Sequence, residues 1–459
     1  MNEYDVVIVG AGTSGTIAAK FAASNGLKVC LIDAHKKQKI GSKICGDVVL
    51  SSIFDFLKVD PPKGTEVMSL KKQIRFYASD LQNFLTINIP IYLVDRLSFG
   101  QKLLNDALDS GVNEFLDDSK VMDLTYKNGI VNGVMVRLET GEKKAIKAKI
   151  VIDGSGAHSI LRNKIKSNFI PNQVSKNDLV ICYREVIQFK NGSRPDLPVD
   201  SLTVVFDPDN VPGGFFWYFP KNDNISNMGL GVILHHKSEL KCLYSNFVVN
   251  KLIPLRNFDI LSSGGDIVPV RRPLPSCADN GIMFIGDAAC HVNNSSGGGI
   301  HTGMKAGYYS ALVAKNAIDA EDYTLNKLWE YNCLIMNDFG IDQAANDIAR
   351  FLLQHIKTKD FDYIVKKRLI SDDDMTQMFY SKSLSPSIKE MMLKIFKGLS
   401  NPRLLLKLNY LLTQMKKFKK HYLNYPQDVK GFQNWKKVEN EMFFNVIARI
   451  GFEHNERNC

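Results

Sequence analysis

Val6-Val7-Ile8-Val9-Gly10-Ala11-Gly12-Thr13-Ser14-Gly15, near the start of the chain, is the stretch that decides its architecture. Four consecutive apolar residues bounded by glycine are the pattern of a strand buried on both faces. Residues 16–25 continue with helical patterning, and Gly26 stands where a helix C-cap favours glycine. Residues 28–32 form a second apolar strand that ends at Asp33. Strand, glycine turn, helix and strand in this order, with an acid about 20 residues past the second glycine, make a dinucleotide-binding fingerprint. Gly10 permits the tight turn, Gly12 lets backbone approach a pyrophosphate, and Gly15 lets helix and strand pack closely. The helix N-terminus offers N–H donors to the phosphates. Asp33 can accept hydrogen bonds from an adenosine ribose.

Two later segments repeat the pattern of apolar strand and glycine turn. Residues 148–153 lead into Gly154-Ser155-Gly156, and residues 281–285 lead into Gly286-Asp287-Ala288-Ala289. Gly297-Gly298-Gly299 then precedes a helical pattern over 300–318, whose N-terminus is open to an anion or a polarised carbonyl. Residues from about 66 to 94 and about 170 to 270 alternate apolar residues with turns, as antiparallel strands do. From about 320 onward helical patterns dominate. Residues 403–422 mix leucines with Lys407, Lys416, Lys417, Lys419 and Lys420. Such a helix either lies on anionic lipid or packs with a solvated lysine face.

The 459 residues are 45% hydrophobic and 23% charged, which excludes disorder, collagen and a disulfide-stapled mini-protein. The net charge of +10 suits an acidic partner, a phosphorylated ligand or an anionic surface. Cys30, Cys45, Cys182, Cys242, Cys277, Cys290, Cys333 and Cys459 are scattered, with no Cys-x-x-Cys pair, so no zinc or iron–sulfur site is expected. The acidic, polar start lacks a signal-peptide pattern, and no apolar run reaches the ~18 residues of a spanning helix. A cytoplasmic protein with free thiols is expected, with peripheral contact on the membrane inner face left open and no nucleic-acid partner.

Gly-x-Gly-x-x-Gly, Asp153-Gly154 and Gly286-Asp287 together resemble the FAD-binding fold of p-hydroxybenzoate-hydroxylase-like flavoproteins. Five places resemble the archaeal geranylgeranyl reductases within that fold. They are Cys45-Gly46-Asp47, Val94-Asp95-Arg96, the run from Gly213 to Pro220 with Gly229-Leu230-Gly231, Val268 to Pro273, and Gly286 to Ala289 with the glycine cluster. Phe215 stands where that family commonly has tyrosine, and Asn294 where it usually has proline.

The resemblance implies an α/β FAD-binding domain of Rossmann-like, glutathione-reductase/p-hydroxybenzoate-hydroxylase type, over 1–65, 95–168 and 271–320. An inserted antiparallel β substrate domain would take 66–94 and 169–270, and a C-terminal helical region 321–459. It implies FAD contacts, non-covalent, at Gly10, Gly12, Ser14, Gly15, Asp33, Cys45, Gly46, Asp47, Arg96, Val121, Asp153, Gly154, Asp287, Gly298, Gly299 and Ile300. The glycine-capped helix would face the flavin pyrimidine ring.

In a strand, Phe215, Trp217 and Phe219 share one face and Phe216 and Tyr218 the other. The first three either line a plain core or wall a cavity for an isoprenoid substrate. The chemistry implied is saturation of geranylgeranyl C=C bonds in archaeal-type membrane lipids or geranylgeranyl diphosphate, by hydride from reduced flavin and protonation of the other carbon. Cys45, whose thiol is mostly protonated at neutral pH, is the candidate donor, or else a small residue shaping the site. Asp47 would orient water or cap a turn. His291 and His301 read first as structural. Arg271 and Arg272 would bind a substrate phosphate, touch FAD or tie domains together. No second dinucleotide unit is present, so electrons would come from a ferredoxin-like protein or from transiently bound NAD(P)H. Competing readings are an FAD monooxygenase on an apolar substrate and a redox-inactive isoprenoid carrier.

Overall fold

In the computed structural model, which describes residues 3–190, 193–253, 257–379 and 400–450, Glu3–Val9 is the inner strand of a first sheet. It pairs in parallel with Val29–Ile32 on one side and Lys143–Asp153 on the other, and Ile282–Phe284 extends the parallel set. Val29–Ile32 is buried throughout, as its unbroken apolar run requires. The helix between the first two strands runs Thr13–Ser24, starting three residues earlier than the apolar pattern alone indicates, because Gly12 serves as its N-cap. Gly10 lies at φ +96°, and a Cβ there would stand 2.5 Å from Gly154 O, so only glycine lets the two turns meet. Lys120–Lys127 and Ile130–Arg137 continue this sheet as an antiparallel pair.

The second sheet also has eight strands. Its order is Phe258–Pro269, Leu179–Phe189, Ile225–Ile233, Phe215–Pro220, Leu202–Val205, Val67–Tyr77, Phe84–Val94 and Val48–Leu50. It is antiparallel except where Leu202–Val205 runs parallel to Val67–Tyr77. Val48–Leu50 lies within 1–65 yet pairs here, with Phe84–Val94, so the loop carrying Cys45 leads straight into the second sheet.

The two faces of the aromatic strand separate as alternation predicts. Phe216 and Tyr218 pack with Tyr244 and Phe247 of the helix Leu240–Phe247. Trp217 and Phe219 belong to the other core, with Ile74, Leu85 and Val204, and Phe215 packs against it. That core is roofed by Phe361, Ile364 and Val365 of Thr358–Lys366 and by Leu404 of the helix Pro402–Leu423. Polar ties hold the roof at its rim: Asp362 accepts from Ser79 N at 2.9 Å and Ser79 Oγ at 2.6 Å, and Asp372 accepts from Thr86 N at 2.9 Å.

A buried ionic network fastens the C-terminal helices to the rest. Arg272 bonds Glu439 at 2.5 Å and Asp347 at 3.0 Å. Arg350 bonds Asp347 and Asp178, each at 2.8 Å. Burial opposes ionisation of Asp347 and Glu439, but the arginines outweigh it and hold both carboxyls below their ordinary values.

Candidate active site

The carboxyl ends of the parallel strands converge, the place where open α/β sheets bind ligands. Gly10 N donates to Ile32 O, Gly154 N to Val9 O, and Ile285 N to Asp153 O, at 2.7, 2.8 and 2.9 Å. All the predicted turns therefore meet. Asp33 accepts from Ala11 N at 2.7 Å and from His35 N at 2.8 Å, so its carboxylate first braces the glycine turn. Ser119 N donates to Asp33 O at 2.8 Å and brings the strand of Val121 alongside, with Val121 itself buried. Ser14 Oγ sits where Cβ atoms on Gly286 and Gly303 would collide with it, so it wedges the first turn against the last. Asp153 is fully buried and accepts from Ser155 N at 2.9 Å and Ser159 Oγ at 3.1 Å; burial raises its carboxyl.

Asp287 pairs with Lys43 at 2.6 Å, and its Oδ1 lies 3.3 Å from where a Cβ on Gly299 would be. Gly299 is the N-cap of Ile300–Asp319, so this carboxylate stands at the helix start with Gly298 and Ile300. Asn294 Nδ2 donates to Gln343 O at 2.7 Å. A side-chain tether to the helix Ile341–His355 thus holds the loop that a proline ring would otherwise stiffen. Burial drives His291 down to about 3 and His301 down to about 4, so both rings are neutral at physiological pH. His291 Nε2 faces Cys277 Sγ at 3.4 Å inside the core, a structural placement.

FAD fits these residues. Arg96, at the first position of its helix, is 8% exposed, yet Nε and one terminal nitrogen have no hydrogen-bond partner among the described residues. A buried cation with unspent donors suits a pyrophosphate or ribityl oxygens. Side chains at Gly12 or Gly297 would meet nothing within 4 Å, so the turns leave room for a ligand.

Cys45, Gly46 and Asp47 join the two sheets. Asp47 N donates to Cys45 Sγ at 3.1 Å, and the thiol reaches Asp47 Oδ1 at 3.4 Å. Burial pushes the Cys45 thiol up and the charge of Asp47 adds to it, while Arg96 opposes. Asp47 neither caps a turn nor lies open to water. At φ +63° and 2% exposed, it forms an ion pair with Lys221 at 2.9 Å. Asn227 Nδ2 donates to Asp47 Oδ2 at 2.9 Å and to Cys45 O at 2.8 Å, and its Oδ1 accepts from Trp217 Nε1 at 3.0 Å. A Cβ on Gly46 would stand 2.9 Å from the Phe219 ring, so glycine lets the loop lie against the aromatic wall.

From Phe219 a file of rings runs away from this loop. Centroids are 6.3 Å apart for Phe219–Trp217, 6.4 Å for Trp217–Phe215, 5.6 Å for Phe215–Phe206 and 5.0 Å for Phe206–Phe361. Alternation revealed three of the five rings; Phe206 and Phe361 enter only through tertiary packing. Lys221 and Asn227 were also missed. A lysine just before a polar turn reads as solvated, and an asparagine between Ser226 and Met228 carries no signal of its own.

Arg271 and Arg272 do not join this cluster. Arg272 is spent on Glu439 and Asp347, and Arg271 lies 3.7 Å from Asp178 and bonds Arg272 O at 3.0 Å. Of the roles open to them, Arg272 takes the one that ties parts of the chain together.

Fold and site define an FAD-dependent oxidoreductase. Residues 5–162 match the family model for FAD dependent oxidoreductases, and residues 178–268 that for the geranylgeranyl reductase catalytic domain. A digeranylgeranylglycerophospholipid reductase of Sulfolobus acidocaldarius is 33% identical, over 95% of this chain and 96% of that protein. One of Methanothrix thermoacetophila is 29% identical over 89% and 99%. The chain belongs to the digeranylgeranylglycerophospholipid reductase family. A geranylgeranyl bacteriochlorophyll reductase-like structure from Thermoplasma acidophilum superposes with a TM-score of 0.77 at 24% identity, covering 90% of this chain and all of that one, and shares the fold.

Proposed function

We propose that this flavoenzyme saturates the C=C bonds of geranylgeranyl chains on archaeal-type glycerophospholipids, with Cys45 as proton donor. The observation that carries the reading is the aromatic file. It begins where Gly46 touches Phe219 and ends under the C-terminal helices at Phe361, an extended apolar wall suited to a polyprenyl chain. When bound and reduced, FAD supplies the hydride. The chain supplies the rest. Arg96, the glycine turns and Asp287 would hold the cofactor. The ring faces steady positive charge developing at the tertiary carbon, and the closed wall keeps water from it. The Cys45 thiol, kept protonated by burial, gives its proton to that alkene's other carbon. The thiolate left behind is held by Asp47 N–H and the charge of Arg96.

The electron source in this reading is a ferredoxin-like protein or NAD(P)H. The helix Pro402–Leu423 makes the membrane contact. Its outer face exposes Arg403, Lys407, Lys416, Lys417 and Lys420 beside Leu406, Leu412 and Leu423, with no acidic residue along its length. Its inner Leu404, Leu405 and Leu408 join the core that holds the aromatic file.

The test is incubation of the purified holoenzyme with dithionite and a digeranylgeranyl glycerophospholipid, followed by mass spectrometry of the lipid. Stepwise gains of hydrogen pairs are expected. Unchanged lipid removes this substrate class.

A further inference from the structure

We propose that Lys221 is a positioning residue for the protonation step: with Asn227 it fixes the Asp47 carboxylate as an acceptor, and Asp47 in turn holds the Cys45 thiol with its hydrogen in place. The proposal rests on the reading of Cys45 as proton donor.

Lys221 and Asp47 are 174 positions apart in sequence, and their side chains are 8% and 3% exposed. A buried carboxylate needs a counter-charge to stay ionised. Lys221 is the cation bonded to it among the described residues, and Asn227 supplies the second donor on the same oxygen. The other oxygen is thereby left facing Cys45 Sγ. An ionised carboxylate only accepts, so the hydrogen between them belongs to sulfur. The left-handed backbone at Asp47 completes the arrangement by aiming its own N–H at the same sulfur. One short segment, from Trp217 through Lys221 to Asn227, therefore sets both the wall and the acid.

Without Lys221, the Asp47 carboxylate loses the ion pair that fixes Oδ2. Oδ1 is then free to turn away from sulfur, and the negative charge opposing the thiolate recedes. The other charged or titratable groups acting on Cys45 are Arg96 from its helix, Lys43 from its own loop and Cys182 from the neighbouring strand. All are unchanged by the substitution.

The experiment is iodoacetamide labelling of the holoenzyme across pH, read on the Cys45 peptide by mass spectrometry, alongside turnover with the lipid. In Lys221→Met the labelling midpoint should fall by about one pH unit, a tenfold change in thiolate fraction at a given pH. Turnover number should fall while KM for lipid holds. Lys221→Arg should restore both. Should Lys221→Met fail to fold, Lys221→Met with Asp47→Asn leaves no unpaired buried charge, and the same lowered midpoint is expected. A wild-type or raised midpoint in the variant that folds overturns the proposal. Cys45→Ser separates the two claims. Wild-type turnover in Cys45→Ser overturns the donor reading and this proposal with it. Lost turnover in Cys45→Ser together with an unmoved Lys221→Met midpoint overturns only the role of Lys221.

Discussion

Arg96 is the residue on which cofactor binding turns most simply. Its guanidinium is buried with two nitrogens unspent among the described residues, which is why Arg96 is proposed to hold FAD. Arg96→Leu should raise the Kd for FAD about tenfold to a hundredfold, since a hydrogen bond to a charged group contributes ~1.5–3 kcal/mol. Fluorescence titration of the apoprotein with FAD measures it, and an unchanged Kd would place the phosphates elsewhere. Arg96 was singled out by resemblance, through Val94-Asp95-Arg96; the structure adds that Asp95 caps this helix by accepting from Ser98 N at 2.8 Å. The Lys221–Asp47 pair was not, because no local rule joins residues brought together only when two sheets close. Arg272 shows the converse limit. Two arginines before a strand look like an anion site until the acids at 347 and 439 are seen to consume one of them.

Among elements, the first strand–turn–helix–strand unit was readable because everything it needs is local: apolar runs, glycines at the turn and an acid at the second strand end. The aromatic strand was readable for the same reason, since alternation alone sorts its rings into two cores. The strand Val48–Leu50 was not, having only three residues and a partner, Phe84–Val94, far along the chain. The helix Pro402–Leu423 joins both kinds of information. Its buried leucines answer to the core, and its basic outer face answers to solvent or lipid. If that face meets membrane, the protein should sediment with phosphatidylglycerol vesicles at low salt and release as salt rises, because screened charges lose their attraction. Exchanging Lys416, Lys417 and Lys420 for glutamine should weaken the binding several-fold. Equal binding to neutral vesicles would contradict a charge-led contact.

Across the whole molecule, the C-terminal helices are both roof and anchor. Thr358–Lys366 and Pro402–Leu423 cover the aromatic file, while Ile341–His355 and Phe432–Ile450 are locked to Asp178 and Arg272 by Asp347, Arg350 and Glu439. Asp347 and Glu439 are held below their ordinary values in the folded state. Their stabilisation is therefore present above the usual carboxylate range and is lost as pH falls through the depressed folded values. The helices should loosen in acid before the dinucleotide domain does, visible as early hydrogen exchange in residues 341–355 and 432–450. Glu439→Gln should bring that loosening about, and cost ~3–5 kcal/mol at neutral pH, by leaving a buried guanidinium short of its partner. Simultaneous loss of protection across both sheets would contradict it.

The chemistry proposed for this crevice is reduction of an isolated alkene with flavin hydride and a protein proton. Its most direct measurement is a single turnover without oxygen. The holoenzyme is reduced with one equivalent of dithionite and mixed with digeranylgeranyl glycerophospholipid. Flavin absorbance and lipid mass are followed together. Flavin should reoxidise on lipid addition, with one C=C bond saturated for each flavin oxidised. Flavin that stays reduced until air is admitted, and then yields an oxygenated lipid, would contradict it and identify a monooxygenase.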